Sequence, residues 1–307
     1  MPPLLVELQA DGPLGQRLAS AIGAEVAQFE LRRFPDGETY LRYDTPPGGR
    51  SVVILCSLDR PDGKFLPLLF AAATARDLGA KSVGLVGPYL PYMRQDRRFC
   101  PGEAVTSAYF AEFLSDQFDW LVTIDPHLHR RSSLSEIYSM RTTVLHAAPL
   151  IAEWIRKNIE FPLLVGPDAE SEQWVADVAR DAGAPHLVLQ KIRHGDREVD
   201  VSIPDTERWR DRTPVIVDDI ISSGHTLIET VGHLVRADMK PPICVAVHGL
   251  FAEGSYQKLV QAGAARIVTS NTISHETNAI DVTSLLAVAV GELIGLPAPV
   301  ASRNRRP

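Results

Sequence analysis

Cysteine is scarce, with only Cys56, Cys100 and Cys244 in 307 residues. They are odd in number, far apart and without metal-ligand spacing, which argues against both a disulfide framework and a cysteine-built zinc site and fits a reducing compartment. Long apolar runs are missing too. Residues 65–75 and 284–290 are apolar but fall well short of the roughly 20 residues that cross a bilayer, so no membrane association is expected. Basic residues are in deficit: a net charge of −7 offers no broad grip on nucleic acid or an anionic membrane, so any arginine that matters is expected to act locally. Residues 1–14 hold Glu7 and Asp11 and neither an early basic cluster nor a long apolar core, a pattern unlike a secretion signal. A cytoplasmic location is the expectation.

What is present is the profile of an ordinary globular chain, 45% hydrophobic and 22% charged, long enough for two domains. Short β-branched runs at 51–55, 82–86 and 121–124 alternate with alanine-rich helical patterns at 66–78 and 104–114. The alternation then begins again, with runs at 161–165, 187–189, 215–217, 243–247 and 266–269 and helices around 172–182 and up to 235. Such alternation builds a parallel sheet covered by helices. The expected fold is α/β, two similar domains of mainly parallel sheet flanked by helices, 1–143 and 144–307. The last helix, 282–293, is expected to pack back across that division, and the basic tail 301–307 to be disordered. The run 121–125 ends in an acid much as 215–219 does, which suggests a diverged duplication.

In open parallel sheets ligands bind beyond the carboxyl ends of strands, and the polar clusters here follow predicted strands. The richest is T-P-V-I-V-D-D-I-I-S-S-G-H-T-L at 213–227. An apolar run stops at Asp218 and Asp219 and then reaches Ser222, Ser223, Gly224, His225 and Thr226. Hydroxyls and N–H groups at a helix start suit a phosphate. Adjacent carboxylates do not; they suit vicinal sugar hydroxyls or a metal ion. The stretch reads as a sugar-phosphate loop, although an Asp-Asp turn with an N-cap serine also opens many ordinary helices.

Five weaker clusters accompany it. Phe34, Asp36 and Glu38 sit with Arg32 and Arg33 in a Pro/Gly-broken loop, where an aromatic face and acceptors can receive a base; a solvated turn has the same composition. Arg94, Gln95, Asp96 and Arg97 follow the run 82–86, and arginine forks there suit phosphate oxygens as well as a plain basic surface loop. Asp125, His127 and His129 leave the run 121–124 at alternate positions that suit a divalent metal or an ordinary turn, and Asp168 after 161–165 is a metal or sugar contact or an N-cap. Lys191 and Arg193, two apart before a glycine turn, suit a flap closing on polyphosphate or an exposed charged hairpin.

Taken in order, these clusters resemble the ribose-phosphate pyrophosphokinase (phosphoribosyl diphosphate synthetase) family over about residues 34–293. The resemblance implies type I phosphoribosyltransferase-like domains that use ATP, ribose 5-phosphate and Mg²⁺. It implies that Phe34, Asp36 and Glu38 of F-x-D-G-E reach the adenine site of a neighbouring subunit, and that Arg94, Gln95, Asp96 and Arg97 of R-Q-D-R line the ATP site. His127 of D-x-H and Asp168 of P-D are the implied metal contacts, Lys191 and Arg193 of K-x-R the catalytic flexible loop, and Asp218, Asp219, Ser222, Ser223, Gly224, His225 and Thr226 the ribose-5-phosphate loop. His248-Gly249 and Asn271-Thr272-Ile273 resemble further family segments. The implied assembly is a homo-oligomer, at least a dimer and by the family a hexamer.

The chain departs from the family in three places. Ser222-Ser223-Gly224-His225-Thr226 replaces an acid and T-A-G-T, Ala169-Glu170-Ser171 replaces A-G-G, and the residues from Gly295 on lack a serine-rich ending associated with phosphate and ADP control. The implied reaction gives 5-phospho-α-ribose 1-diphosphate and AMP. Its rivals are a non-catalytic regulatory homologue and a phosphoribosyltransferase that uses the same loop.

Overall fold

The structure is a computed structural model that describes residues 1–8, 12–128, 130–167, 171–194, 198–202 and 206–296, with backbone alone for 190–194, 198–202 and 206. The chain divides into two compact units, Met1–Leu145 together with the chain from Thr283, and His146–Val282.

The first unit contains β1 (Leu4–Glu7), α1 (Leu14–Ala21), β2 (Glu25–Val26), β3 (Phe29–Arg33), β4 (Thr39–Tyr43), β5 (Ser51–Leu55), α2 (Asp62–Asp77), β6 (Ser82–Val86), α3 (Thr106–Gln117), β7 (Trp120–Ile124) and β8 (Arg141–Leu145). The second contains α4 (Ala148–Asn158), β9 (Pro162–Gly166), α5 (Glu172–Ala182), β10 (His186–Val188), β11 (Gln190–His194), β12 (Glu198–Ser202), α6 (Thr206–Trp209), β13 (Thr213–Ile221), α7 (His225–Arg236), β14 (Ile243–Gly249), α8 (Ser255–Ala262), β15 (Arg266–Ser270) and β16 (Asn278–Ile280). Helix α9 (Thr283–Leu293) rejoins the first unit and packs on α1, β7 and β8. It therefore sits on the far side of the expected division, and a simple cut near 143 assigns it to the wrong unit.

Each unit is one six-stranded, all-parallel sheet. The first runs β2-β1-β5-β6-β7-β8 and the second β10-β9-β13-β14-β15-β16, so the strands taken in chain order occupy the same places in both. Each also inserts an antiparallel hairpin between its second and third sheet strands, β3–β4 in one and β11–β12 in the other. The central strands are β-branched runs buried on both faces, which is why they read as continuous apolar stretches and not as alternating ones. Leu85, Leu121 and Ile54 are wholly buried, each contributing about 2 kcal/mol through removal from water. At Gly84 a side chain has no room, because a Cβ there would lie 1.9 Å from the Trp120 ring on the next strand. The Ala-rich face of α2, with Ala71, Ala72 and Ala75 buried, lets that helix approach the sheet closely.

Candidate active site

In the second unit, β13 is buried from Pro214 to Val217 and continues to Ile221, which pairs with Gly249. The expected break at the acids does not occur. Because β14 extends to Gly249, it offers ladder partners to Asp218 and Ile220, and the two acids lie inside the carboxyl end of the strand. Both are half-buried, and the Asp219 N–H donates to Oδ1 of Asp218 at 2.9 Å. Burial, and secondarily the charge of Asp218, push the Cys244 thiol up to about 12, so this cysteine stays an unreactive core residue.

The chain then turns at Gly224, whose φ of +70° favours glycine, and α7 opens at His225. Gly224 at the N-cap offers no side chain to the first-turn N–H groups of this 12-residue helix, and the helix dipole is positive there. Ser222 and Thr226 are half-buried beside it, Ser223 and His225 exposed. The sequence-predicted residues 218–226 thus form one continuous strand end, turn and helix start, an arrangement that offers donors to an anion and, just before them, acceptors to hydroxyls.

In the first unit the F-x-D-G-E residues form the tip of the β3–β4 hairpin, closed by Arg33 opposite Thr39. The Phe34 N–H donates to the Glu38 carbonyl at 2.8 Å, the Glu38 N–H donates to Asp36 Oδ1 at 3.2 Å, and Gly37 takes φ +95°. Phe34 is 40% exposed, and the Arg32 guanidinium lies 4.7 Å from its ring centre and 4.0 Å from that of Tyr40. An exposed aromatic already backed by a cation is a ready stacking surface. The hairpin is tied to α2 by an indirect device. Pro67 lies inside that helix and has no N–H for the Gly63 carbonyl one turn back, and Arg33 donates to that carbonyl at 3.2 Å instead. Tyr43 adds a hydroxyl bond to the Ala71 carbonyl at 2.8 Å.

The R-Q-D-R loop leaves β6 and the D-P-H loop leaves β7, neighbouring strands of the same sheet. The two loops are joined at Asp96. Its side chain is 6% exposed and accepts from Arg130 at 3.2 Å, while Arg131 donates to its backbone carbonyl at 3.2 Å. Arg94 and Arg97 are exposed, and Gln95 is held by its N–H on Tyr92 and by its side-chain amide on Ala104. Arg97 and Arg130 both approach the exposed ring of Phe99, at 5.0 and 5.5 Å. Asp125 turns the chain out of β7 with φ +36°, and half-buried His127 follows it. Sequence reading gave neither Arg130 nor Arg131 a role; the signal was two basic residues directly after the second histidine.

Lys191 and Arg193 lie on β11, paired opposite Val201 and Val199 of β12, while the turn 195–197 lies outside the described residues. Asp168 and His129, like the segment 169–170 and the tail, also lie outside them. Among the described residues no three His, Cys, Asp or Glu side chains converge as a metal cage. No helix among the described residues is long and apolar enough to cross a membrane.

A family model for the N-terminal domain of ribose phosphate pyrophosphokinase matches residues 4–117, and one for the phosphoribosyl transferase domain matches 133–285. The chain is 31% identical over 278 residues to a ribose-phosphate pyrophosphokinase of Thermoplasma volcanium, covering 91% of this chain and 95% of that one. The chain belongs to the ribose-phosphate pyrophosphokinase family. A further member, from Methanothermobacter thermautotrophicus, is 30% identical over 92% of this chain and 98% of its own. The fold is that of the crystal structure of phosphoribosylpyrophosphate synthetase from Mycobacterium smegmatis, with a TM-score of 0.84 at 22% identity over 96% of this chain and 99% of that one. The family resemblance read from the motifs and the doubled α/β fold both hold.

Proposed function

We propose that the chain transfers the diphosphoryl group of ATP to ribose 5-phosphate, giving 5-phospho-α-ribose 1-diphosphate and AMP. One observation carries this reading: a single chain joins the family's N-terminal domain, at 4–117, to the loop at 218–226. A phosphoribosyltransferase acting on a base accounts for the second feature and leaves the first unexplained.

In the reaction, ribose O1 forms a bond to the β-phosphorus, the bond from that phosphorus to the oxygen shared with the α-phosphorus breaks, AMP departs with that oxygen, and the O1 proton is released. Asp218 and Asp219 accept from the ribose 2- and 3-hydroxyls. The first turn of α7, with Ser222, Ser223, Gly224 and Thr226, holds the 5-phosphate. Arg94, Gln95 and Arg97 orient the triphosphate, and Asp96 fixes their loop through Arg130. Phe34, Asp36 and Glu38 reach the adenine site of a neighbouring copy, in a homo-oligomer that is at least a dimer and by the family a hexamer. Lys191 and Arg193 neutralise charge that develops on the transferred group. Mg²⁺, held by His127 and Asp168, would supply charge neutralisation along the triphosphate. Catalysis is then mostly alignment and electrostatics.

The test is to incubate the protein with Mg²⁺, ATP and ribose 5-phosphate and follow both products by ³¹P NMR. Equal amounts of AMP and phosphoribosyl diphosphate are expected. ADP in place of AMP would mean a simple phosphokinase, and binding without turnover a regulatory homologue. Lys191→Ala is expected to lower kcat by more than about 100-fold, and a loss within threefold removes Lys191 from the transition state.

A further inference from the structure

The connection from β14 to α8 is more strained than those from β5 to α2 and from β6 to α3, in each of which one non-glycine residue, Arg60 or Tyr92, takes a positive φ. Two of its non-glycine residues, Phe251 and Glu253, take φ of +46° and +56°, conformations that L-residues adopt rarely. Phe251 is wedged in place: its ring lies over Gly249, where a Cβ would meet it at 2.6 Å, and stacks on His275 with centroids 4.3 Å apart. Strain of this kind persists only where surrounding contacts hold it, and it concentrates at functional sites.

What the strained turn touches is the sugar-phosphate loop. The N–H groups of Leu250 and Phe251 both donate to the Ile221 carbonyl, at 2.9 and 3.0 Å. One loop residue further on, the Ser255 hydroxyl donates to the Ser222 carbonyl at 2.7 Å, and Ser255 is wholly buried. Its Cβ would also stand 3.1 Å from any side chain placed at Gly224. Carbonyls 221 and 222 are therefore both fixed from outside the loop. A peptide plane held at its carbonyl is held at its N–H as well, so fixing the Ser222 carbonyl sets the direction of the Ser223 N–H. It also limits how the chain turns through Gly224 into α7.

We infer that Ser255 is a positioning residue for ribose 5-phosphate, holding the 222–224 turn in its anion-binding geometry through the Ser222 carbonyl. The inference rests on the reading of 218–226 as the sugar-phosphate loop. Ser255 touches no substrate atom in this account, so its removal acts on binding of one substrate and not on the chemical step.

The experiment is steady-state kinetics on the full chain for Ser255→Ala and, separately, Thr226→Ala, with both substrates varied and thermal unfolding recorded. Alanine fits the buried space and suits the first turn of a helix. Ser255→Ala is expected to raise KM for ribose 5-phosphate about tenfold, leaving KM for ATP within twofold and Tm within about 2 °C. If that KM stays within twofold while Thr226→Ala raises it, the positioning role is wrong and the loop reading stands. If neither variant moves it, the loop reading has failed along with the inference. A parallel rise in both KM values with a lower Tm makes Ser255 merely structural and overturns the proposal.

Discussion

The strand third in chain order within each sheet invites direct comparison, because β5 and β13 hold the same place in two identical strand orders. After β13 come two half-buried acids and a turn through Gly224 into an uncapped helix. After β5 come Ser57, Leu58 and Asp59, and the loop is drawn inward: the buried ammonium of Lys64 donates to the Ser57 carbonyl at 2.8 Å and to Asp59 at 2.6 Å. One loop leaves two acids half-buried at its strand end, while the other draws its acid onto its own lysine. The same fold thus carries the loop proposed to bind sugar phosphate in one unit and an internally neutralised loop in the other, and the difference rests on a few side chains and not on topology.

Acid-pair removal gives the largest test of this contrast. Asp219→Asn is expected to lower kcat/KM for ribose 5-phosphate by about 100-fold or more, since the charged acceptor proposed for the sugar hydroxyls is replaced by a neutral one. A change below fivefold would place Asp219 outside the sugar site and dissolve the functional half of the comparison. Unfolding temperature should change little, because the carboxylate is only half-buried.

The corresponding change in the first unit is expected to act on stability instead. Asp59→Ala leaves Lys64, whose side chain is 9% exposed, with the Ser57 carbonyl as its remaining partner, at a cost of about 2 kcal/mol. That is a fall in Tm of roughly 4–8 °C for a unit of this size, with kcat/KM within threefold of wild type. Loss of activity without loss of stability would show that the β5 loop still binds a ligand.

Much of this was legible beforehand. The runs at 51–55 and 82–86 are β5 and β6 to the residue, and the helix at 172–182 is α5, because a strand buried on both faces leaves a continuous apolar run and an amphipathic helix a 3.6-residue period. The loop expected at 32–38 holds the tip of the β3–β4 hairpin, but the two strands are not legible, since their mixed residues carry only a short alternation and their pairing depends on cross-strand partners. The duplication was read from the wrong pair of strands. Asp125 follows β7, fifth in its sheet, whereas Asp219 lies in β13, third in its own, and only strand order reveals that β5 is the counterpart. Within the site, motifs named the residues but not their bonds. Nothing in R-Q-D-R says that Asp96 faces inward to Arg130, or in A-E-G-S that Ser255 reaches back to Ser222.

The smallest effect sharpens the picture of the first unit's arginine loop. Glu103 accepts from the N–H groups of Cys100 and Phe99, at 2.9 and 2.7 Å, and these bonds, that of Cys100 foremost, hold its carboxyl below the ordinary value of 4.5. A carboxyl with a depressed folded pKa contributes its stabilisation fully above the ordinary value and loses it as pH falls through the folded one. The turn that closes the loop behind Arg94–Arg97 should therefore hold at neutral pH and loosen only in acid below 4.5. Amide resonances of Phe99 and Cys100 followed by NMR should titrate together with a midpoint under that value, and Glu103→Gln should abolish the titration. A midpoint at or above it would mean that the carboxylate does not cap the turn in solution, leaving the loop anchored through Asp96 and Gln95.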